Sequence, residues 1–368
     1  MKICFLIQQY NNGGGTERVL SQIANGLVKK GAEVSVISIG KGLKPHFYTD
    51  ASVSLFELSH TEPRDKAIGT RLMSAVGIIK VRKKLLDLTK KLLPDFIVAV
   101  DIVLYHYAEY LRRRLKIKAV GWEHYCLDSR QGPLLSYSRR LSVKNAYATV
   151  VISDGDYKSY KGKYPWAKNI VRIYNPISCP ITGGADISAK SVAAAGRLTY
   201  QKGFDMLIEA WSKLPKRLKD WELNIYGEGE DKESLKERIL FLGLKNVYLK
   251  GYTDNLAKEL KKSSLFVLSS RYEGFGLVLI EAQAVGLPCI SFNCKEGPSE
   301  IISDGENGIL VPPCDVNSLT DGLCRLMDSY GLRIRFSNAS MKYLDRFDPD
   351  RVIEKWISLF EDGVDSLG

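Results

Sequence analysis

Short apolar runs alternate along the chain with stretches in which apolar residues recur every three or four positions. The first run, at 2–7, is followed by a helical pattern at 19–28 that Gly31 ends. Short apolar runs are typical of buried strands, and the wider spacing is typical of amphipathic helices. Another helix is predicted at 80–92, before Pro94. Further strands are predicted at 33–39, 96–100, 119–122 and 149–152.

The alternation is interrupted by the Asn-Pro-Ile-Ser-Cys-Pro run at 175–180 and then resumes. Strands separated by helices form parallel sheets, so two series predict two doubly wound α/β domains, at 1–176 and 177–348. Ligands of such sheets bind beyond the carboxyl ends of the strands, and two facing domains would form a deep cleft. The last helix, at 349–362, has an apolar stripe and is expected to pack back on the first domain. Strands of the second series are predicted at 191–195, 223–226, 247–250, 265–269 and 288–292.

Charge is distributed unevenly between the two halves. The chain holds 53 Lys and Arg against 42 Asp and Glu, a net of +11, but residues 1–180 hold 29 against 14. Such a basic half suits nucleic acid or an anionic membrane surface. Aromatic residues do not alternate with the basic ones as base stacking requires, so no nucleic-acid partner is expected. The basic clusters lie at 80–84, 90–91, 112–114 and 139–140.

Cysteine usage and hydropathy indicate the compartment. The seven cysteines include no Cys-x-x-Cys pair, which favours a reducing cytosol over a disulfide framework or a zinc ribbon. No apolar run reaches the roughly 18 residues of a transmembrane helix. We therefore expect a cytoplasmic protein that reaches membranes only from the periphery.

Two loops that follow predicted strands combine glycines with charged residues. The loop at 196–203 contains Arg197 and Lys202, which suit a diphosphate because Arg binds phosphate with paired N–H groups and Lys binds it as a point charge. In the second loop, Glu273 precedes a Gly-Phe-Gly turn at a predicted helix N-terminus, where free N–H groups attract anions. Glu281 follows in a mostly apolar helix, where it needs a polar partner such as ribose hydroxyls.

The Gly-Gly-Gly-Thr-Glu run at 13–17 joins the first strand to the first helix. Glycines there let a ligand approach the backbone closely. The run lacks the third glycine of the dinucleotide fingerprint and the Gly-Lys-Ser/Thr of a P-loop. Taken alone, it predicts either a tight turn or an anion-binding turn.

Together these patterns resemble a known family. Glu273 and Glu281 have the E-x7-E spacing of retaining glycosyltransferases with the GT-B fold of two Rossmann-like domains. The wider pattern, from Gly-Gly-Thr-Glu-Arg at 14–18 through 196–203 to Gly-Glu-Asn-Gly at 305–308, is similar to glycosyltransferase family 4. The similarity extends over essentially the whole chain and is tightest from 192 to 312. Within the family, the chain looks most like bacterial enzymes that extend exopolysaccharide, O-antigen or lipid-linked oligosaccharide.

The resemblance implies roles for individual residues. Arg197 and Lys202 would bind the donor diphosphate and stabilise the leaving group. Glu281 would hold the donor ribose, and Glu273 would lie near the sugar hydroxyls. His124, after the strand at 119–122, would line the sugar and acceptor side and complete the catalytic group. The other expected donor-binding residues are Gly14, Gly15, Gly227, Tyr252, Thr253, Gly274, Phe275 and Gly276.

The resemblance also implies the reaction partners. The first domain would bind the acceptor, and the second would bind a nucleotide sugar, with UDP-sugars favoured. A hexose or N-acetylhexosamine would pass to a glycan or polyprenyl-diphosphate-linked acceptor at the inner face of the cytoplasmic membrane. The basic first domain, especially the stretch at 78–93, is expected to dock on that anionic surface.

Other chemistry is considered beside this hypothesis. Two Asp-x-Asp runs, at 154–156 and 348–350, are candidate metal ligands, but both precede predicted helices, whose N-termini favour acidic residues. We expect no metal and no cofactor, because Arg197 and Lys202 can stabilise the leaving group. One alternative is a nucleotide-sugar epimerase or hydrolase of the same fold, which needs no acceptor. Another, a basic nucleic-acid-binding protein, leaves the two cations and both glutamates of the E-x7-E pattern without a role.

Overall fold

The computed structural model describes residues 1–42, 44–58, 75–128 and 132–367. It divides into two compact units. Unit 1 consists of Met1–Ser178 and Phe347–Gly368, and unit 2 consists of Cys179–Arg346. The domain borders predicted from the sequence lie within two residues of these.

Unit 1 contains a parallel sheet with the strand order β3-β2-β1-β4-β5-β6-β7 in the described part of the chain. Its central strands are buried on both faces, which explains their continuous apolar sequences. The order reverses between β1 and β4, and ligands bind at such switch points. The strands are β1 Lys2–Ile7, β2 Glu33–Ser38, β3 Ser54–Glu57, β4 Phe96–Val100, β5 Lys118–Trp122, β6 Ala148–Val151 and β7 Ile170–Arg172. The helices between them are α1 Gly15–Lys29, α2 Ala75–Leu92, α3 Tyr105–Leu115, α4 Pro133–Asn145 and α5 Asp154–Lys163.

Unit 2 repeats this arrangement, with the strand order β10-β9-β8-β11-β12-β13 over its described residues. Its switch point lies between β8 and β11. The strands are β8 Ser191–Ala195, β9 Glu222–Tyr226, β10 Val247–Gly251, β11 Leu265–Leu268, β12 Cys289–Phe292 and β13 Gly308–Val311. The helices are α6 Phe204–Ser212, α7 Lys232–Phe241, α8 Leu256–Leu260, α9 Leu277–Ala284, α10 Pro298–Ile301, α11 Val316–Asp328 and α12 Tyr330–Ser340.

The last long helix, α13 (Pro349–Glu361), belongs to unit 1 although it follows unit 2 in the chain. Its Ile353 packs so closely on α1 that a Cβ atom at Gly26 would lie 2.4 Å from the Ile353 side chain. The fully buried Trp356 lies against Trp122, with 4.8 Å between ring centroids. The apolar stripe of α13 therefore completes the core of unit 1.

The two Asp-x-Asp runs lie at the starts of helices α5 and α13. The Asp348 carboxylate accepts hydrogen bonds from the backbone N–H groups of Asp350 and Arg351 at the start of α13. Asp154 pairs with Arg172 at the start of α5, where the Asp156 carboxylate accepts a bond from the Leu127 backbone N–H at 2.7 Å. The Asp348 contacts agree with the predicted preference of helix N-termini for acidic residues, whereas the start of α5 is capped by the Ser153 hydroxyl, which accepts a bond from the Asp156 N–H.

Among the helices that the structure describes, none is both long enough and apolar enough to cross a bilayer.

Candidate active site

The loops that follow β8 and β11 meet at the switch point of unit 2. The Lys202 Nζ lies 2.6 Å from Oε1 of Glu273, and the Ser270 hydroxyl donates to the same oxygen at 2.6 Å. Only 17% of the Lys202 side chain and 6% of the Glu273 side chain are exposed. Lys202, which was expected to bind the diphosphate, and Glu273, which was expected to lie near the sugar, therefore form an ion pair with each other.

Arg197 lies on the same loop as Lys202 and is exposed. Within the described ranges its guanidinium makes no hydrogen bond or ion pair. An unengaged, exposed guanidinium can bind an incoming phosphate with two parallel N–H donors. The loop thus offers one cation held by a carboxylate and a second that is available.

Close backbone contact joins the loops after β8 and β9. Gly227 has a positive φ of 141°, and a Cβ atom there would lie only 1.9 Å from the Gly196 carbonyl oxygen. The Leu198 N–H donates to the Glu228 carbonyl at 2.9 Å, and the Gly227 N–H donates to the Gly251 carbonyl at 2.8 Å. Gly227 is therefore required for the loops to approach each other, whether or not it touches a ligand.

Tyr252 and Thr253 follow the next strand, β10. The Tyr252 side chain is 53% exposed, and the Thr253 hydroxyl accepts a bond from the Asn255 N–H at 3.2 Å. Because β8, β9 and β10 are parallel neighbours, these two residues lie at the same edge of the sheet as Arg197 and Gly227.

The Gly-Phe-Gly turn precedes helix α9. Gly276 is the N-cap residue with a φ of 93°, and Phe275 is buried. A Cβ atom at Gly297 would lie 2.2 Å from the Phe275 carbonyl oxygen, so the loop after β12 packs against this turn. Glu281 is buried in α9, with 3% of its surface exposed. Gly274 and Glu281 thus lie on either side of the helix start that the sequence predicts to bind an anion.

The remaining predicted residues lie in unit 1. Gly14 is the N-cap of α1, and Gly15 is its first residue. His124 follows β5, with its ring centroid 4.4 Å from that of Trp122. Burial lowers the pKa of His124 to about 3, so its imidazole is neutral at physiological pH. The predicted set is therefore divided between the carboxyl edges of the two sheets.

A buried ion pair, absent from the sequence predictions, holds the loop that carries His124. The Arg139 Nε donates to Glu123 Oε2 at 2.7 Å, and 3% and 0% of these side chains are exposed. The same guanidinium donates to the Leu127 carbonyl at 2.9 Å, and the Tyr160 hydroxyl donates to Glu123 at 2.6 Å. Burial has the largest single effect and lowers the pKa of Arg139, but the charge and hydrogen bond of Glu123, with the charges of Tyr160 and Asp156, together raise that pKa above its ordinary value.

This network corrects the expectation that Arg139 belongs to a basic surface cluster. Its side chain is an internal support for the segment after β5. The signal in the sequence was Glu123, a carboxylate directly after a buried strand. A buried carboxylate needs a polar partner. The sequence does not identify Arg139 as that partner, because the two residues are not neighbours in the chain.

Two known families match the chain, one over each unit. The family described as "Glycosyl transferases group 1" matches residues 186–343. The family described as "Glycosyltransferase Family 4" matches residues 13–179. The first range contains the Lys202–Glu273 pair, and the second contains His124.

Individual proteins are similar over nearly their whole length. An uncharacterized glycosyltransferase of Haemophilus influenzae is 31% identical over 358 residues, which cover 96% of this chain and 98% of the relative. The amylovoran biosynthesis glycosyltransferase AmsD of Erwinia amylovora is 27% identical over 371 residues, with 96% and 98% covered.

A solved structure shares the fold. A mutant of S. aureus TarM, in complex with fondaparinux, alpha-GlcNAc-glycerol and UDP, matches with a TM-score of 0.81 at 17% identity. The match covers 98% of this chain and 99% of that chain. This likeness identifies the architecture of the two units as the GT-B fold.

Proposed function

Because the chain belongs to the family 4 glycosyltransferases with the GT-B fold, we propose that it transfers a hexose or N-acetylhexosamine from a nucleotide sugar to a glycan with retention of configuration. The observation that carries this proposal is the Lys202–Glu273 pair, which lies with Arg197 at the switch point of unit 2. The second unit would bind the donor, and the first would bind the acceptor.

The chemistry requires positive charge at the leaving group. Transfer breaks the bond between the anomeric carbon and a phosphate oxygen, and the departing diphosphate keeps the electron pair. The acceptor oxygen forms the new bond and gives its proton to a phosphate oxygen. Arg197 and Lys202 would stabilise the developing negative charge, since preorganised cations are the largest contribution to such catalysis. We therefore propose that no metal ion is needed.

The two glutamates would have different roles. Glu273 holds the Lys202 ammonium, so it would orient that cation and also contact the sugar hydroxyls. Glu281, buried in α9, would hold the ribose. The E-x7-E resemblance supports both roles and the retaining stereochemistry. The UDP present in the TarM complex supports UDP as the nucleotide.

The acceptor would be a growing polysaccharide, most favourably one linked to a polyprenyl diphosphate. The amylovoran biosynthesis enzyme, similar along nearly the whole chain, supports polysaccharide biosynthesis. A lipid-linked acceptor places the enzyme at the cytoplasmic face of a membrane. Unit 1 holds 31 Lys and Arg against 20 Asp and Glu, whereas unit 2 holds 22 of each, so unit 1 carries the whole net charge.

Helix α2 provides the surface for this docking. Ile79 is 64% exposed, and Lys80, Lys83, Lys90 and Lys91 of the same helix are also exposed. An anionic membrane attracts each basic residue near it by about 1 kcal/mol.

Two other cations of α2 have partners within unit 1. The Arg82 guanidinium is half-buried and lies 5.2 Å from the Tyr110 ring centroid. The Lys84 Nζ donates to the Leu58 carbonyl at 2.9 Å. The docking surface therefore excludes Arg82 and depends little on Lys84.

The test is a screen of UDP- and GDP-sugars with purified protein, with and without a polyprenyl-diphosphate glycan, in buffer that contains EDTA. We expect release of UDP from one class of sugar, an acceptor-dependent increase, and an α-linked product from an α-linked donor by NMR. Loss of activity in EDTA would contradict metal independence, and a β-linked product would contradict retention. An epimerised free sugar without any transfer would establish the epimerase alternative.

A further inference from the structure

The 3₁₀ turn Tyr200–Lys202 is fastened to the loop after β11 at each of its three residues. The Tyr200 carbonyl accepts a bond from Arg271 Nη1 at 2.7 Å. The Gln201 carbonyl accepts one from the Arg271 backbone N–H at 2.8 Å. The Lys202 carbonyl accepts one from the Ser269 hydroxyl at 3.0 Å. The backbone of the residue that carries the buried ammonium is therefore fixed by its neighbour loop.

Arg271 closes this contact with a paired interaction. Its Nη1 and Nη2 donate to the two carboxylate oxygens of Asp205, on the first turn of α6, at 2.9 and 2.6 Å. Its guanidinium carbon lies 3.9 Å from the Tyr200 ring centroid. Hydrogen bonds from Arg271 hold the pKa of Asp205 below its ordinary value although burial opposes this. One side chain thus joins the start of α6, the 3₁₀ turn and the loop after β11.

The backbones at this junction approach each other closely. Gly203 has a φ of 62°, and a Cβ atom there would lie 2.2 Å from the Ser269 carbonyl oxygen. The hydrogen bonds of Arg271 and Ser269 to the turn therefore hold the backbone next to Lys202, whose Nζ reaches Glu273 in the same loop as Arg271.

We propose that Arg271 and Asp205 are positioning residues for catalysis: together they fix the turn so that the Lys202 ammonium is held where the leaving diphosphate forms. This inference rests on the proposed function of Lys202 as the leaving-group cation. Misplacement of a catalytic group by about 1 Å can lower a rate by about a hundredfold, so the pair affects turnover more than stability.

Unit 2 offers a matched control. Arg217 makes an equally paired contact with Asp328, at 3.1 and 2.6 Å, between the 3₁₀ turn Lys216–Leu218 and the end of α11. Its side chain is 61% exposed, compared with 15% for Arg271. Arg217→Ala therefore removes a similar ion pair that does not touch the turn of Lys202.

The experiment is a double-mutant cycle on donor turnover with Arg271→Ala, Lys202→Ala and the double variant. We expect Arg271→Ala to lower kcat by about 10- to 100-fold with a smaller effect on the KM of the donor. In the Lys202→Ala background, Arg271→Ala should lower kcat by less than about twofold, because Arg271 acts on turnover through Lys202. An equal loss in both backgrounds, or an equal loss in Arg217→Ala, would overturn the proposal.

Hydrogen exchange separates this inference from the proposed function. Amides at 199–204 should exchange faster in Arg271→Ala than in the wild type or in Arg217→Ala. Unchanged protection of these amides would refute the proposal that Arg271 fixes the turn, even if the enzyme transfers sugar. Absence of transfer from every nucleotide sugar, with the faster exchange observed, would instead refute the proposed function and leave only the structural part of the inference, that Arg271 fixes the turn.

Discussion

The Lys202 ammonium and the Glu273 carboxylate are 2.6 Å apart, although 71 residues separate them in the chain. Each neutralises a charge that would be costly to bury alone. A diphosphate that reaches this position meets a cation already oriented and largely desolvated. Little reorganisation is then required at the moment of bond cleavage, which is the condition for strong electrostatic catalysis.

Removal of either cation should slow transfer. We expect Arg197→Ala and Lys202→Ala each to lower kcat/KM by about a hundredfold, the effect of losing one preorganised donor. Steady-state kinetics with the preferred donor measure this, with the exposed Arg325 on α11 replaced by Ala as the control. Only Lys202→Ala should also lower the melting temperature, because it leaves the buried Glu273 charge uncompensated. Near wild-type turnover in both variants would remove the cations from the mechanism.

The buried Glu123–Arg139 pair should contribute far more to stability than an exposed pair in the same unit. Glu123→Gln leaves a buried guanidinium without its counter-charge and should cost about 3–5 kcal/mol. The Lys2–Glu33 pair is 48% and 64% exposed, so Glu33→Gln should cost less than about 1 kcal/mol. Urea unfolding of both variants provides the comparison. Similar midpoints would contradict the assignment of Arg139 as an internal support.

Burial of His124 should make unit 1 less stable in mild acid. The folded pKa is about 3, whereas an unfolded histidine titrates near about 6.5. Between these values only the unfolded chain binds the proton, so stability falls as pH drops from about 6.5 towards 3. His106, whose pKa burial lowers to about 4, acts in the same direction.

The measurement for His124 is urea unfolding at pH 7 and pH 5. His124→Phe should reduce the loss of unfolding free energy between these two values by about 2 kcal/mol. His46, which is exposed, provides the control substitution. An unaltered pH dependence in His124→Phe would mean that the imidazole is not held neutral in the folded state.

Charge reversal on α2 should release the protein from anionic vesicles. The variant with Lys80, Lys83 and Lys90 changed to Glu should bind phosphatidylglycerol liposomes at least about a hundredfold more weakly, since three contacts provide about 3 kcal/mol. High salt should weaken wild-type binding in the same direction. Donor hydrolysis should be unchanged, because α2 carries none of the expected donor-binding residues.

Liposome sedimentation needs a control with the same change in net charge. Exposed lysines of unit 2 provide it: Lys236, Lys245 and Lys262 changed to Glu. Equal losses in both variants would show a general charge effect, and equal wild-type binding to neutral vesicles would exclude electrostatic docking.

The central strands of both described sheets could be predicted from the sequence, whereas of their four edge strands only β10 was predicted. β1, β4 and β8 begin and end where their apolar runs do, because parallel strands buried on both faces need continuous apolar sequence. β3 and β7 were missed because neither has a continuous buried apolar run of four residues: β3 is only partly buried, and β7 has three residues. β13, at the edge of the second sheet, was also missed; it begins with Gly308, a residue type that is depleted in strands.

The residues of the candidate site could likewise be predicted only in part. Motifs identified the charged residues, since their spacing after strands is local information. Partners were not predicted: Arg271 lies 66 residues from Asp205, and Arg139 lies 16 residues from Glu123. Only the strand order brings these groups together, so Lys202 was predicted as a phosphate ligand while its bond to Glu273 was not.

The return of α13 to unit 1 sets an order of events during synthesis. Phe360 of this helix packs on Phe96 of β4, with 4.7 Å between ring centroids, so the core of unit 1 stays open until the ribosome has made α13. Unit 2 ends at Arg346 and is complete before α13 exists. The second unit in the sequence can therefore fold on the nascent chain first, and the amino-terminal unit finishes last.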